Sequence, residues 1–385
     1  MNSKKGKEYK VLAFFQDANH YHTIDYLCKN LDKNGVKVAS FNIATWRYRG
    51  EIKIPLWIRI AILFAKVPKL RGLLSGILRS RIMLKIAESF EIVDIHFFSP
   101  IYDEIIEELY ARRKKKIKIT IWGSDFYRVD VHRIEQQRAL YQKVDIVQIE
   151  TLQIANDFLR VFPELKNKVR LAHFGIVQFD IIDNLLQRGN SGFYRKMMKL
   201  PSDKIIIACG TNGSTGHQHH LILDALSELP ARHRERLFLI LPMTYGGTKG
   251  YIAEIRRKMD AMGMPGLILT SFLSLDELCK YRIVSDLLIT IQKTDALASA
   301  IQEHLYAGGI IIAGDWLPYG TLSEMGVFYL TASLETLTDT ISHTIDNHID
   351  LKETNTGNKE ILKGFSSWDS VICDWLMIYN ELSNA

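Results

Sequence analysis

The sequence predicts an α/β protein built from two doubly wound domains. Strand-like apolar runs alternate with helical patterns along most of the chain, and this alternation is typical of parallel sheets covered by helices on both faces. The alternation loses clarity at 177–203, around the polar stretch QRGNSGFYRK, and then restarts. A chain of 385 residues is also longer than one hydrophobic core usually serves.

The strand-like runs fall into two sets. Those of the first half are KVLAFF (10–15), VKVASFNI (36–43), VDIHFFS (93–99), KIKITIWG (116–123), VDIVQIE (144–150) and a last piece, LAHFGI (171–176). Those of the second half are KIIIACG (204–210), LFLILPM (237–243), GLILTSF (266–272), DLLITI (286–291), GIIIAG (309–314) and VFYLT (327–331). Helical stretches such as TIDYLCKNLDKNG (23–35), HHLILDALSEL and YIAEIRRKMDAMG separate them, and the chain closes with WDSVICDWLMIYNEL (368–382). The two halves therefore resemble two copies of one architecture.

Composition excludes several classes of protein. The four cysteines stand far apart with no C-x-x-C pair, so neither a zinc site nor a disulfide framework is indicated, and a reducing cytoplasm fits best. The basic N-terminus leads into an apolar run too short for a signal peptide. No run of 18 uncharged apolar residues occurs, so we expect no segment that spans a bilayer.

The net charge of +6 is distributed unevenly. Residues 52–86 carry eight basic residues and no acid, and a second basic cluster, ARRKKKIK, covers 111–118. We expect part of 52–86 to lie on the inner face of the membrane, where its basic residues meet anionic lipid; the alternative is a buried helix with a solvated basic rim. The cations assigned to this contact are Arg59, Lys66, Lys69, Arg71, Arg79 and Arg81. Nucleic acid is not expected as a partner, since the basic residues alternate with leucine and isoleucine rather than with stacking aromatics.

Ligands of doubly wound domains bind at the carboxyl ends of the strands. The stretch TDALASAIQEHLYAGG follows one such strand, and we expect a helix to start at Asp295. Ala298, Ser299 and Ala300 would then present first-turn amides to a diphosphate, and Glu303, two turns further on, would accept ribose hydroxyls. The alternatives are that Asp295 only caps a helix and that Glu303 is only a solvated side chain.

This stretch resembles the E-x7-E motif of GT-B glycosyltransferases, with Asp295 in place of the first Glu. The resemblance implies that Asp295 lies near the donor sugar and that Glu303 holds the nucleotide ribose. It also implies two Rossmann-like domains that face a cleft and close on the donor, here an acceptor domain at 1–185 and a nucleotide-sugar domain at 186–366. The helix of 367–385 would pack back on the first domain.

A second resemblance covers about 204–290, where GTNGSTGHQHH, LILPMTYGG and FLSLDEL look like segments of the transferase family that adds 4-acetamido-4,6-dideoxygalactose to lipid-linked enterobacterial common antigen. The matching positions are Gly210, Gly213, Ser214, His219, Pro242, Met243 and Tyr245. The glycines permit close approach of a phosphate. The arginine and lysine that many GT-B enzymes place here are lacking, so His219, Lys249 and Lys293 are the proposed substitutes; for His217 and His220 a solvated helix start is an equal alternative.

Two loops of the first half are further candidates. WGSD (122–125) resembles the H-G-S-D-like loop of GT-B enzymes with Trp122 for His, and Asp125 is a catalytic candidate or a helix cap. QDANHYH (16–22) occupies the acceptor loop of the family, so Asp17, His20 and His22 are candidates for the base. HFGI resembles the loop that ends the first domain, which implies that His173 faces the cleft.

We therefore predict a metal-independent GT-B glycosyltransferase without cofactor, since no D-x-D triplet occurs. It would transfer sugar from a nucleotide-sugar donor to a lipid-linked saccharide acceptor in bacterial surface polysaccharide synthesis, as a cytoplasmic protein peripheral to the membrane. The first resemblance implies retention of configuration and the second inversion. The alternatives are a non-hydrolysing sugar-nucleotide epimerase and a catalytically silent GT-B-like protein that binds a membrane or polyanion.

Overall fold

A computed structural model describes residues 9–16, 21–65 and 78–384 of the protein. The chain forms two compact units. The first unit comprises Met1–Gly175 and Trp368–Ala385, and the second comprises Ile176–Ser367. The break therefore falls at 175/176, whereas the sequence placed it at 185/186.

The first unit is a parallel sheet flanked by helices. Its described strands are β1 (Lys10–Phe15), β2 (Lys37–Asn42), β3 (Arg47–Arg49), β4 (Ile92–His96), β5 (Lys116–Thr120), β6 (Ile146–Ile149) and β7 (Val169–Leu171). Its described helices before the second unit are α1 (Tyr21–Lys33), α2 (Leu56–Ala65), α3 (Arg79–Ala87), α4 (Asp103–Arg112), α5 (Ser124–Tyr127), α6 (Val131–Tyr141) and α7 (Leu152–Val161). The sheet order is β3-β2-β1-β4-β5-β6-β7, and β3 alone pairs antiparallel.

The second unit repeats this architecture. Its strands are β8 (Ile205–Cys209), β9 (Leu237–Pro242), β10 (Gly266–Leu269), β11 (Leu287–Thr290), β12 (Ile310–Gly314) and β13 (Leu330–Ala332). Its helices are α8 (Gln178–Arg188), α9 (Ser191–Met197), α10 (His219–Ser227), α11 (Ala231–Arg234), α12 (Lys249–Ala261), α13 (Leu275–Val284), α14 (Ser299–Tyr306), α15 (Gly320–Glu324), α16 (Leu337–Asp346), α17 (His348–Thr354) and α18 (Asn358–Ser366). The order β10-β9-β8-β11-β12-β13 is parallel throughout. Both units are thus Rossmann-like, which confirms the predicted fold class.

Apolar strands are buried on both faces because helices cover both sides of each sheet. All five residues of β8 are buried, and they alternate between two apolar layers. Ile205 and Ile207 belong to one layer, and Ile206 and Ala208 to the other. This explains why the strands read as continuous apolar runs rather than as alternating patterns.

The connector predicted at 177–203 is largely helical, which the sequence did not predict. Phe179, Ile182 and Leu185 recur at three-residue spacing in α8 and are buried in the core of the second unit. This apolar stripe holds the helix against the second unit and accounts for the earlier break. LAHFGI is mostly loop, because the pairing with β6 covers only Val169–Leu171.

The last helix, α19 (Trp368–Asn384), belongs to the first unit. The Trp368 ring lies against Gly175, where a Cβ atom would come within 2.3 Å of it. Trp375 Nε1 donates a hydrogen bond of 2.8 Å to the His173 carbonyl oxygen. Glycine at 175 is therefore required by the close approach of the returning helix.

Candidate functional site

Three loops at the carboxyl edge of the second sheet are joined by backbone hydrogen bonds. The Gly213 amide, after β8, donates to the Tyr245 carbonyl oxygen, after β9, at 2.7 Å. The Lys293 amide, after β11, donates to the Gly216 carbonyl oxygen at 2.9 Å. The structure therefore brings together three predicted positions that lie far apart in sequence: Gly213, Tyr245 and Lys293.

Glycines allow these loops to meet. A Cβ atom at Gly213 would come within 3.0 Å of the Tyr245 carbonyl oxygen, and one at Gly247 within 2.7 Å of the Gly213 carbonyl oxygen. Gly210 has φ of +68° and no space for a side chain, because a Cβ atom would lie 2.8 Å from His219 Nε2. These three positions therefore need glycine so that the loops can pack against one another and against His219.

His219 lies beneath the loop after β8 rather than on its surface. Its side chain is fully buried at the start of α10, and Nδ1 lies 3.1 Å from the Tyr251 hydroxyl. Burial lowers its pKa to about 4, so the imidazole is neutral at pH 7. In this conformation His219 supports the loop, and a direct contact with a ligand would require the loop to move.

The exposed side chains of this edge are of another kind. Tyr245, Lys249 and Lys293 are all exposed, and neither lysine forms an ion pair within the described chain. Ser214 is held in the loop, since its amide donates to Asn212 Oδ1 at 2.9 Å and its hydroxyl accepts from the Gly216 amide at 3.3 Å. The edge thus combines an ordered glycine-rich backbone with two cations, a combination suited to an anion.

Asp295 organises the loop after β11. Its Oδ2 accepts hydrogen bonds from the Ala298 amide at 3.0 Å and from the Tyr319 hydroxyl at 2.5 Å. Burial, followed by Asp295 itself, raises the pKa of Tyr319 well above its usual value, which keeps this hydroxyl a donor. The side chain of Asp295 is partly exposed, and Lys293 stands two residues earlier in the sequence.

The helix does not start at Asp295, as the sequence predicted, but at Ser299, with Ala298 as its N-cap residue. Leu297 prevents an earlier start of the helix, since it is buried with φ of +64°, a left-handed conformation that leucine rarely adopts. Ser299 and Ala300 do occupy the first turn. The Ala298 amide, by contrast, is already bonded to Asp295.

Glu303 is buried and paired. Its Oε2 lies 2.9 Å from Nε of Arg282 on α13, and both side chains are almost fully buried. The sequence alternative of a solvated glutamate is therefore wrong. The arginine partner was missed, because nothing in the pattern of α13 marks Arg282 as an inward-facing residue.

In the first unit, Asp17 and His20 lie outside the described residues. Asp125 is buried, and it joins two loops at the carboxyl edge of the sheet. Its Oδ2 accepts from the Phe98 amide at 2.8 Å and its Oδ1 from the Trp122 amide at 2.9 Å. Burial raises its pKa to about 6, although these amide bonds act in the opposite direction.

Aromatic side chains also pack at the carboxyl edge of the first unit's sheet, next to a close contact between His173 and Glu150. The rings of Trp122 and Phe174 lie 4.4 Å apart, and that of His96 lies 6.1 Å from Trp122. Beside them, His173 Nδ1 lies 3.1 Å from Glu150 Oε1. His173 is thus buried against a carboxylate at the end of the first unit's sheet.

A polar network in the middle of this sheet was not predicted. Asp94 and Lys118 are partners in the pairing of β4 with β5, and both are completely buried. Tyr379 of α19 donates to Asp94 Oδ2 at 2.6 Å, and Thr120 donates to Oδ1 at 2.9 Å. The available signal was a charge inside each of two apolar strands, VDIHFF and KIKITI.

The basic segment 52–86 divides into parts with different exposure. Lys66, Lys69 and Arg71 lie outside the described residues, Arg59 and Arg81 are exposed, and Arg79 is half-buried near Tyr102. Helix α2 exposes an apolar stripe at positions 56, 57, 60, 63 and 64, with Leu56 73% and Leu63 62% exposed. Its opposite side, at Ile58 and Ala61, is buried.

Within the described residues, no cluster of three His, Cys, Asp or Glu side chains could hold a metal ion. In the same part of the chain, every helix is too short or too polar to cross a bilayer.

Residues 10–150 match the protein family described as Glycosyl transferase 4-like. The match covers most of the first unit. No curated protein matches the chain in sequence.

Solved structures match nearly the whole chain. Sucrose-phosphate synthase from Thermosynechococcus elongatus has a TM-score of 0.73 at 13% identity, over 98% of this chain and 100% of that chain. HepE from Anabaena, in complex with UDP, has 0.67 at 12% identity, over 98% and 100%. A glycosyltransferase from Rickettsia africae has 0.66 at 12% identity, over 98% and 99%. The chain therefore has the GT-B fold.

Proposed function

We propose that this protein is a GT-B glycosyltransferase that moves a sugar from a nucleotide-sugar donor to a lipid-linked saccharide acceptor in bacterial surface polysaccharide synthesis. The observation that carries the proposal is the joined carboxyl edge of the second unit, where Gly213, Tyr245, Gly216 and Lys293 link three loops. The family match of residues 10–150 and the GT-B neighbours support the same class of reaction.

The donor would lie along this edge. The exposed cations Lys249 and Lys293, held beside the glycine-rich loop, would receive the diphosphate, and the first-turn amides of Ser299 and Ala300 would add partial positive charge. Stabilising the leaving diphosphate in this way requires no metal ion, and metal-independent transfer remains a prediction. Since HepE was solved with UDP, a uridine nucleotide is the first candidate donor to test.

Asp295 would act at the sugar. Its carboxylate is held in place by the Ala298 amide and the Tyr319 hydroxyl, so little reorganisation is needed when it acts in the transition state. A fixed negative charge beside the anomeric carbon would favour the positive charge that develops in an oxocarbenium-like transition state.

The acceptor would meet the first unit, and α2 would bring the protein to its lipid. Five exposed apolar side chains on one face of a short helix, within a segment rich in basic residues, suit the headgroup boundary of an anionic inner leaflet. We therefore propose a peripheral association with the inner face of the cytoplasmic membrane.

The Asp295→Asn variant tests the catalytic part. Asn keeps the size of Asp and an oxygen that accepts from the Ala298 amide, so binding of bare UDP should change little. Turnover with UDP-sugar and acceptor should fall about 100-fold, the size expected for loss of one electrostatic contact in the transition state. The Tyr319→Phe variant removes the neighbouring hydrogen bond but keeps the carboxylate, so its turnover should fall less than that of the Asn variant.

Wild-type turnover in the Asn variant would refute the role of Asp295. Consumption of the donor without any acceptor would favour an epimerase, and lack of binding to any nucleotide diphosphate in a thermal-shift screen would favour a silent protein. A ligand present at 100 times its dissociation constant should stabilise the protein by about 2.7 kcal/mol. Assays in excess chelator check the prediction that no metal is needed.

A further inference from the structure

The first unit contains a basic cavity at the edge of its sheet opposite to the carboxyl ends. We call it the basal pocket. Its volume is about 600 Å³, within the range of small-molecule sites. It lies at the amino ends of β1, β4, β5 and β6, and its lining includes Tyr9, Arg113, Lys114, Lys115 and Asp145.

Charge is concentrated at this pocket. Its lining holds five cationic side chains, at positions 113–116 and 143, against two carboxylates, Glu91 and Asp145, which leaves a formal surplus of three positive charges. A concave site lined by one sign of charge focuses its field and attracts the opposite ion.

The two carboxylates are already engaged by the protein. Glu91 Oε2 accepts from the Lys10 amide at 2.8 Å, and Asp145 Oδ2 accepts from the Ile117 amide at 2.8 Å. Asp145 Oδ1 also lies 3.2 Å from Lys116 Nζ. Both acids therefore hold the starts of strands.

The cations differ in what they contact. Lys143 pairs with Glu107, and Lys115 donates to the carbonyl oxygens of Glu88, at 2.8 Å, and Phe90. Arg113 and Lys114 are exposed, and within the described chain their side chains form no hydrogen bond or ion pair. Two adjacent cations at the mouth of the pocket are thus available to a ligand.

The backbone at Arg113 is unusual as well. Arg113 follows α4 with φ of 47°, in the left-handed region, and its amide donates to the Tyr110 carbonyl oxygen at 3.1 Å. Glycine is the usual residue at this position after a helix. An arginine is held here in a strained conformation at the rim of the cavity.

Apart from Ser383, the remainder of the lining is apolar or aromatic. Ile92, Leu109 and Leu382 are buried residues of the lining, and Tyr9 and Tyr110 belong to it as well. A ligand that fits therefore has an anionic group for Arg113 and Lys114 and a less polar body for the floor.

We propose that the basal pocket binds a phosphate ester through Arg113 and Lys114. The oxygens of a phosphate point in several directions, so they can accept from a guanidinium and an ammonium group together more readily than the two coplanar oxygens of a carboxylate can. The ester is either a soluble sugar or polyol phosphate or the headgroup of an anionic phospholipid, and both offer anionic phosphate oxygens to the two cations. Strand β5 is five residues long, so about 16 Å separates this pocket from the carboxyl edge, and the proposal does not depend on the proposed transferase function.

The acylation rate of Lys114, followed by mass spectrometry with an amine-reactive reagent, tests the proposal locally. Glycerol 3-phosphate or vesicles of phosphatidylglycerol should reduce the rate about tenfold at saturation. The exposed Lys166, which does not line the pocket, should react unchanged. Protection by the soluble ester identifies a free metabolite as the source, and protection by vesicles alone identifies lipid.

The double variant Arg113→Gln/Lys114→Gln extends the test to affinity. Calorimetric titration with glycerol 3-phosphate should show affinity at least about tenfold weaker, because two charge-assisted hydrogen bonds are lost. The control Lys33→Gln/Lys166→Gln removes the same net charge from exposed positions outside the pocket and should bind normally. Equal loss in both variants, or Lys114 protection by sodium chloride at matched ionic strength, would overturn the proposal, as would no protection by either phosphate source.

Discussion

Lys118 Nζ lies 2.7 Å from Asp94 Oδ2, and neither side chain has any solvent-accessible surface. The two residues are opposite each other on β5 and β4. Burial lowers the pKa of Lys118 to about 8, which leaves it protonated at neutral pH. Burial also acts to raise the pKa of Asp94, but His96 and Lys118 outweigh it and hold that pKa well below its usual range. The rings of Trp375 and Tyr379 lie over the ammonium group at 4.6 and 5.1 Å, so the ion pair also anchors the returning helix α19.

Breaking this pair should destabilise the first unit strongly. Lys118→Met removes the ammonium partner of a buried carboxylate and should cost about 3–5 kcal/mol of unfolding free energy. Lys116→Met, two residues earlier on the same strand, removes a partly exposed pair with Asp145 and should cost less than about 1 kcal/mol. Urea denaturation followed by tryptophan fluorescence measures both, since Trp316 is the only one of six tryptophans outside the first unit. Similar losses of unfolding free energy in the two variants would show that the buried pair stabilises the protein no more than the partly exposed one.

Asp125 should make stability depend on pH. Its pKa rises from 3.8 to about 6 on folding, so the folded state binds the proton more tightly than the unfolded state. The free energy of unfolding contributed by this group is therefore largest below pH 4 and falls by about 3 kcal/mol as pH rises to 7. Asp125→Asn cannot ionise, so the difference in stability between wild type and variant should change by that amount over pH 4–7. Denaturant titrations at several pH values check this, and a difference that stays constant with pH would show that Asp125 is not titrating there.

Glu303 and Arg282 separate a structural role from a ligand role. Glu303→Ala and Arg282→Met should each cost about 3–5 kcal/mol of stability, because each leaves one buried charge without its partner. If the carboxylate also accepts ribose hydroxyls, as the resemblance implies, only Glu303→Ala should also weaken nucleotide binding, by about 1.5–3 kcal/mol of binding free energy. Thermal melting and calorimetric titration with UDP measure the two effects. Equal nucleotide affinity in both variants would mean that Glu303 serves only the fold.

The apolar stripe of α2 should determine vesicle binding. Leu56→Gln/Leu63→Gln removes two exposed leucines, each able to gain about 1.5 kcal/mol or more on leaving water, so partitioning onto phosphatidylglycerol vesicles should fall more than tenfold. The control Val131→Gln/Leu152→Gln removes two exposed apolar residues elsewhere on the first unit and should bind as wild type. Sedimentation with vesicles is the measurement. If both double variants bind alike, the membrane is not recognised through α2.

The carboxyl-edge loops show how far local sequence reaches. Gly210, Gly213 and Tyr245 could be assigned to one edge from strand-loop-helix order alone, since parallel strands all present their carboxyl ends on the same side of the sheet. The start of the helix after Asp295 could not be predicted, because the left-handed backbone of Leu297 depends on packing around a buried side chain. The two amides that donate to Asp125 lie 27 and 3 residues away in the sequence, and the more distant partner could not be predicted either.

The sequence by itself determined most of the strands, the doubly wound class and the edges where ligands could lie, because apolar runs and turn residues act over a few neighbours. Only the tertiary structure decided which charges meet. Asp94 finds Lys118 through sheet register, Glu303 finds Arg282 across two helices, and the cations at 113–116 become one wall of a cavity with Leu382 at the far end of the chain. Electrostatic partners are set by distance in space, and no local pattern in the chain encodes that distance.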